Sequence, residues 1–297
     1  MKSKKAISIL ILIVMVVILL VYGAINSNKT KQSDGKIRIL TSFYPIYIMT
    51  LNITNGVNNV EVSNMADKLN GCIHDYTLTT TDLKKFETAN IFIENGAGLE
   101  SFTDKIVNSY KDLKVIYAAQ NVTNFIYSDD NESNSHIWLS IENYKNEVQT
   151  IASKLSEIDE ANSGLYNANA NQYIEKLNEL QSKFKQLDLS NKKAICLDES
   201  LEYLLKENNI DETLIETDHD QASISAELIK ETISKMNSEG IKAIFIDKND
   251  SDKLAKALQN ETGAKIYVLN SGMNGEKNLN SYIDLMNQNY EILKDLQ

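Results

Sequence analysis

Three histidines carry the chain's metal-binding potential: His74, His136 and His219. Neutral imidazole ligates zinc and neighbouring transition metals. No two of them fall in a local pair such as H-E-x-x-H, so a site must be assembled from distant segments. His74 lies in Gly71-Cys72-Ile73-His74-Asp75-Tyr76, read as a loop at the carboxyl end of a strand. His136 lies in Ser135-His136-Ile137-Trp138-Leu139-Ser140, just ahead of a helix. One loop histidine is ordinarily a hydrogen-bonded surface residue; two on the same rim invite a metal. His219, in Asp218-His219-Asp220, reads as a solvated loop residue, with an auxiliary ligand as the alternative.

The elements that must position these residues alternate. Strands are expected at 36–42, 57–64, 91–94 and 113–118, and helices at 45–55, 80–88 and 100–110. Pro45 stands near a helix start, where its missing N–H costs little. Threonine hydroxyls and Asp82 suit the first turn of 80–88. A helical stretch follows at 140–158, and then a long helix at 166–187. In the long helix Tyr173, Leu177, Leu180, Phe184 and Leu187 make one apolar stripe. The stripe is too short for a convincing coiled coil, and a spine of roughly 33 Å between two sheets fits it better. Strands at 194–198, 213–216, 241–247 and 264–269 then alternate with helices at 201–208, 225–238 and 251–262. The expected fold is α/β, with two lobes, each a mainly parallel sheet with helices on both faces, joined by the long helix. The divisions read from this pattern are 1–24 anchor or signal, 25–35 linker, 36–140 N-terminal lobe, 141–190 connecting helices and 191–297 C-terminal lobe. Ligands of such sheets bind beyond the carboxyl ends of the strands, here where the lobes face each other.

The 297 residues are 42% hydrophobic, enough for two lobes with cores of their own, and the net charge of −11 argues against a nucleic-acid partner. Lys2, Lys4 and Lys5 precede an uncharged apolar run at 6–24. Nineteen residues at ~1.5 Å each reach about 28 Å, close to a bilayer core. The lysines place the N-terminus inside and the rest outside. The run exceeds the usual signal-peptide core and no A-x-A site follows, so it reads as an uncleaved tether.

The chain resembles the substrate-binding proteins of zinc- and manganese-type ABC importers. The resemblance rests on Ser42-Phe43-Tyr44-Pro45; His74-Asp75-Tyr76 with Thr80-Thr81-Asp82-Leu83; Asn95-Gly96-Ala97-Gly98-Leu99-Glu100; His136-Ile137-Trp138-Leu139-Ser140 with Glu142-Asn143; Lys242-Ala243-Ile244-Phe245; and Thr262-Gly263-Ala264-Lys265-Ile266-Tyr267. It implies His74 and His136 as first-lobe ligands. It puts the third ligand at Asp198, with Glu199 beside it. The fourth, usually an aspartate, falls on Asn270, a neutral and poorer donor to a divalent ion. The histidine-rich loop common in zinc binders is missing.

Cys72 stands two residues before His74, and Cys196 two before Asp198. In extended backbone such pairs share a face, so each cysteine can flank the site, with a thiolate favouring zinc over manganese. Inert buried thiols and a cross-lobe disulfide are the alternatives. The resemblance therefore implies a tethered, monomeric, extracytoplasmic carrier without enzymatic activity. It would bind Zn2+, with Mn2+ as runner-up, between two lobes and deliver it to an ABC permease. A membrane-anchored zinc-dependent hydrolase and a surface adhesin are the rivals. The first has no identifiable general base, and the second leaves the histidine motifs unexplained.

Overall fold

The computed structural model describes residues 35–67, 69, 71–128, 131–215 and 225–297. The apolar run at 6–24, nearly all of the 25–35 linker, and His219 lie outside the described residues. Among the described residues no helix is long and apolar enough to cross a membrane. The chain divides into two units, Met1–Lys36 and Ile37–Gln297, and both lobes belong to the second.

The first lobe is built on β1 (Ile37–Thr41), β2 (Val60–Asn64), β3 (Ile91–Glu94) and β4 (Lys114–Tyr117). All pair in parallel, in the order β2-β1-β3-β4. The second lobe repeats the plan with β5 (Lys193–Cys196), β6 (Asp211–Leu214), β7 (Ala243–Asp247) and β8 (Lys265–Leu269), in the order β6-β5-β7-β8. The middle strands are continuous apolar runs: Ile91-Phe92-Ile93 and Ala243-Ile244-Phe245-Ile246 are buried throughout. That pattern belongs to strands covered on both faces, whereas a solvated sheet would alternate. The two-lobed α/β fold is therefore as the sequence predicts. Each sheet changes direction of winding between its two central strands, and the crevice at that point opens above their carboxyl ends.

Helix α1 (Tyr44–Ile53) starts with Pro45 in its first turn. Helix α2 (Thr80–Thr88) carries a reciprocal cap, in which Thr79 Oγ1 accepts from Asp82 N and Asp82 Oδ2 from Thr79 N. The expected helix at 100–110 is reduced to a 3-10 turn at Ser101–Thr103 and one turn, α3 (Asp104–Val107). Local side-chain bonds compete with helix there: Thr103 Oγ1 donates to Glu100 O (2.8 Å) and Glu94 Oε2 (2.9 Å).

Between the lobes run α4 (Ile141–Ile158) and α5 (Ser163–Phe184). The long helix begins three residues earlier than expected and ends before Leu187. Tyr166, Ala170, Tyr173, Leu177, Leu180 and Phe184 form its buried stripe. The second lobe adds α6 (Glu202–Glu207), α7 (Ala226–Glu239), α8 (Lys253–Thr262) and α9 (Ser281–Lys294). Helix α9 was not anticipated, although Tyr282, Leu285, Met286, Tyr290 and Leu293 carry helical spacing. It packs on α5 and α1, and the Tyr144 and Tyr282 rings stack 3.6 Å apart. One apolar core runs without a break from Ile39 and Phe43 through Leu177 to Phe245 and Leu293. The lobes thus share a core, which restricts them to small relative shifts.

Candidate metal centre

The loop after β2 turns sharply before α2. A 3-10 turn at Ile73–Asp75 sinks Ile73 completely into the core, and Tyr76 OH donates to Asp82 Oδ2 (2.8 Å). The α2 cap and the Ile73 anchor together fix Cys72 and His74 on the rim. Cys72 Sγ lies 3.1 Å from His74 Nδ1 and 3.6 Å from His136 Nε2. The rings of His74 and His136 are 5.1 Å apart.

His136 is held both by its own bonds and by the turn that follows it. It is 1% exposed and precedes a 3-10 turn, Ile137–Leu139, whose three side chains are fully buried. Trp138 Nε1 donates across the lobes to Ser271 O (2.7 Å), and Tyr282 OH donates to Trp138 O (2.7 Å). Asn134 Oδ1 accepts from the His136 main-chain N–H and faces Nδ1, both at 2.9 Å. With its proton on Nδ1, toward Asn134, the ring presents a lone pair on Nε2, the nitrogen that faces Cys72. Asn134 Nδ2 in turn donates to Glu199 O and Glu202 Oε2, both 2.8 Å. One amide thereby orients the ring and ties it to the second lobe.

The facing wall comes from the second lobe. Cys72 and His136 line a cavity of about 10 Å³ together with Asp198, Ser200, Asp247, Asp250 and Ser271. That is room for about one water or ion. Two groups of ligand atoms, Cys72–His74–His136 and Asp198–Asp247–Asp250, each have their members within 4.8 Å of one another; Cys72, His136 and the three aspartates line this cavity, while His74 lines the wider cleft beside it. Burial, reinforced by the charges of Asp198 and Glu199, pushes the Cys72 thiol up to about 12. Burial also raises the Asp250 carboxyl to about 8, helped by the charge of Asp198 and a hydrogen bond shared with it. Both groups therefore hold protons at neutral pH that a cation would displace.

The structure separates residues that the sequence left together. Asp198 lines the cavity; its neighbour Glu199 lines the wider cleft beside His74, with Glu199 Oε1 3.8 Å from His136 Nδ1. Asn270 is absent from the cavity lining. Its Oδ1 accepts from Gly272 N (3.0 Å), and its main chain exchanges two bonds with Asn289. Ser271 takes the place on the wall instead. The two cysteines are free and buried, so no disulfide joins the lobes. Cys196 donates to Asp198 O (3.1 Å) and does not line the cavity. β5 ends at Cys196, so the two-residue strand period that would have carried its face on to Asp198 stops there. Sequence reasoning missed Asn134, Asp247 and Asp250. The signal for the last two was available, since both stand at the carboxyl end of β7, where ligands of such sheets gather.

Comparison with known proteins gives a consistent picture. The family described as "ZnuA: Zinc-uptake complex component A periplasmic" matches residues 39–296. The iron-binding protein YfeA of Yersinia pestis is 26% identical over 91% of this chain and 89% of its own length. The zinc-binding protein AdcA of Streptococcus pyogenes serotype M3 is 26% identical over 95% of this chain. The chain spans only 61% of AdcA. Among solved structures, the Cd-bound periplasmic metal binding protein of Candidatus Liberibacter asiaticus superposes with a TM-score of 0.75 at 26% identity, covering 88% of this chain and 99% of that one.

Proposed function

Because the chain belongs to the family of the periplasmic zinc-uptake component A, the substrate-binding component of ABC metal importers, we propose that it captures zinc between its lobes and delivers it to a membrane permease. The observation that carries the choice of residues is the convergence of Cys72 Sγ, His74 Nδ1 and His136 Nε2, with Cys72 and His136 sharing their cavity with Asp198. Around a tetrahedral zinc, with sulfur at about 2.3 Å and nitrogen at about 2.05 Å, those two atoms stand about 3.6 Å apart. The Cys72–His136 separation of 3.6 Å fits without movement, and the 3.1 Å to His74 needs the ring to back away by about half an ångström.

Cys72 and His74 sit on a capped loop, His136 on a buried turn and Asp198 on the other lobe, so one ion bridges elements that are otherwise only packed together. Loading the site then draws the two rims toward the ion within the limits the shared core allows. The altered rim is the surface a permease reads. A thiolate among the ligands favours zinc over manganese, which prefers oxygen. The apolar run at 6–24, with its lysines, is the tether we assign to the outer face of the membrane.

Equilibrium dialysis of the purified chain with zinc should give one ion per chain, and His136→Ala should abolish it. Cobalt in place of zinc should show an intense near-ultraviolet thiolate band that disappears in Cys72→Ser and persists in Cys196→Ser. A band that survives Cys72→Ser would remove the thiol from the site. Zinc binding untouched by His136→Ala would sink the whole arrangement.

A further inference from the structure

Position 270 cannot supply the carboxylate that the resemblance expects there. Its amide oxygen is engaged by Gly272 N, and it stands off the cavity wall. Three carboxylates do reach that wall, and their hydrogen bonds distinguish them. Asp247 is committed: Oδ1 accepts from Asn249 N (2.8 Å) and Nδ2 (2.7 Å), and Oδ2 accepts from Ser271 N (2.6 Å). It braces the turn after β7. Asp198, on the cavity lining, accepts from Ser200 N at Oδ1 (2.7 Å) and shares a hydrogen bond with the Asp250 carboxyl. Asp250 closes the same turn with its N–H on Asp247 O (3.1 Å), and among the described residues its carboxyl has only Asp198 as a hydrogen-bond partner. Ser200, 2% exposed on the same wall, has a hydroxyl oxygen with no partner among the described residues. A buried hydroxyl without a partner is unusual. Here its residue lines the same small cavity as Asp198, Asp250, Cys72 and His136.

We propose that Asp250 is a metal ligand that takes over the role left vacant at Asn270, and that Asp198, Asp250 and the Ser200 hydroxyl form an oxygen-donor half facing the sulfur–nitrogen half of Cys72, His74 and His136. This rests on the metal-binding reading above and divides that one site by chemistry. Zinc, four-coordinate and tolerant of sulfur, is held by the Cys72 side with Asp198 completing it. An oxygen-preferring ion that takes more ligands, manganese above all, draws on Asp250 and Ser200 as well. Asp250 is then the residue that lets the cavity accept a hard cation at all.

The test is a pair of competition titrations, zinc and manganese, on the full chain, on Asp250→Asn and on Cys72→Ser, with metal-free melting curves as the folding control. Asp250→Asn should lower manganese affinity more than ~100-fold, beyond the range typical of residues that only orient ligands, and zinc affinity by less than ~10-fold. Cys72→Ser should do the reverse. Adding Asn270→Asp to Asp250→Asn should not restore manganese binding. Manganese affinity unchanged in Asp250→Asn, equal losses for both metals, or rescue by Asn270→Asp would each overturn the proposal. Failure of the unaltered chain to bind either metal would instead strike the function proposed above, so the two failures are told apart.

Discussion

Asn134 offers the sharpest test of how the centre is held, because it holds His136 without lining the cavity itself. Its amide makes four bonds: two to His136, one to Glu199 O and one to the Glu202 carboxylate. Asn134→Ala removes all four. At about 1 kcal/mol for each neutral bond and about 2 kcal/mol for the charged one, the chain should lose up to about 5 kcal/mol of stability, less if water enters. The loss in zinc affinity has a separate origin. Without Oδ1 the His136 proton is no longer held on Nδ1, and the ring is free to rotate or exchange tautomers before binding. Partners of this kind are worth about 10–100-fold in affinity, or about 1.4–2.7 kcal/mol. Asn134→Asp separates the two effects: it keeps an acceptor for His136 but sets a carboxylate against Glu202. It should retain zinc affinity within a few-fold while melting lower. Chelator-competition titration at pH 7.5 reads the affinity, and calorimetric or circular-dichroism melting reads the stability. Zinc binding by Asn134→Ala equal to that of the parent, or abolished as in His136→Ala, would refute the argument.

Two further outcomes follow from the buried acids and the spine. Burial foremost raises Glu94 to about 8 and Glu100 to about 7, and Glu94 is raised further by the charge of Glu100. Carboxyls with folded pKa values above their unfolded ones contribute stability that is complete below about pH 4 and lost as pH rises through 7 and 8. The metal-free melting temperature should therefore fall between pH 5 and 8.5. Glu94→Gln, which keeps an acceptor for Thr103, should flatten that slope, and an unchanged slope would clear the pair of responsibility. Leu177, fully buried mid-spine, should cost about 2–5 kcal/mol on truncation to Ala. Because the core is continuous, amide exchange should quicken in both lobes; acceleration confined to one would show that the lobes are energetically separate.

Much of this protein was legible in its residues because the information is local. The stripe from Tyr173 to Phe184, the apolar run of β3 and the Thr79–Asp82 cap each depend on neighbours a few residues apart, and α2 and β3 fall where the pattern puts them. The loops bearing His74 and His136 also follow from strand ends and helix starts. Tertiary structure decided which side chains converge. Asp198 and Glu199 are adjacent in sequence, yet the 3-10 turn Glu199–Leu201 sends one to the cavity and the other to the open cleft. Asn270 was turned aside by its bonds to Gly272 and Asn289, and Asp250 was brought in by a turn braced on Asp247. Asn134 acquired its role only when the second lobe arrived to accept its amide hydrogens. A coordination site is a convergence of directions from segments far apart along the chain, and sequence spacing records distance along the chain but not direction across it.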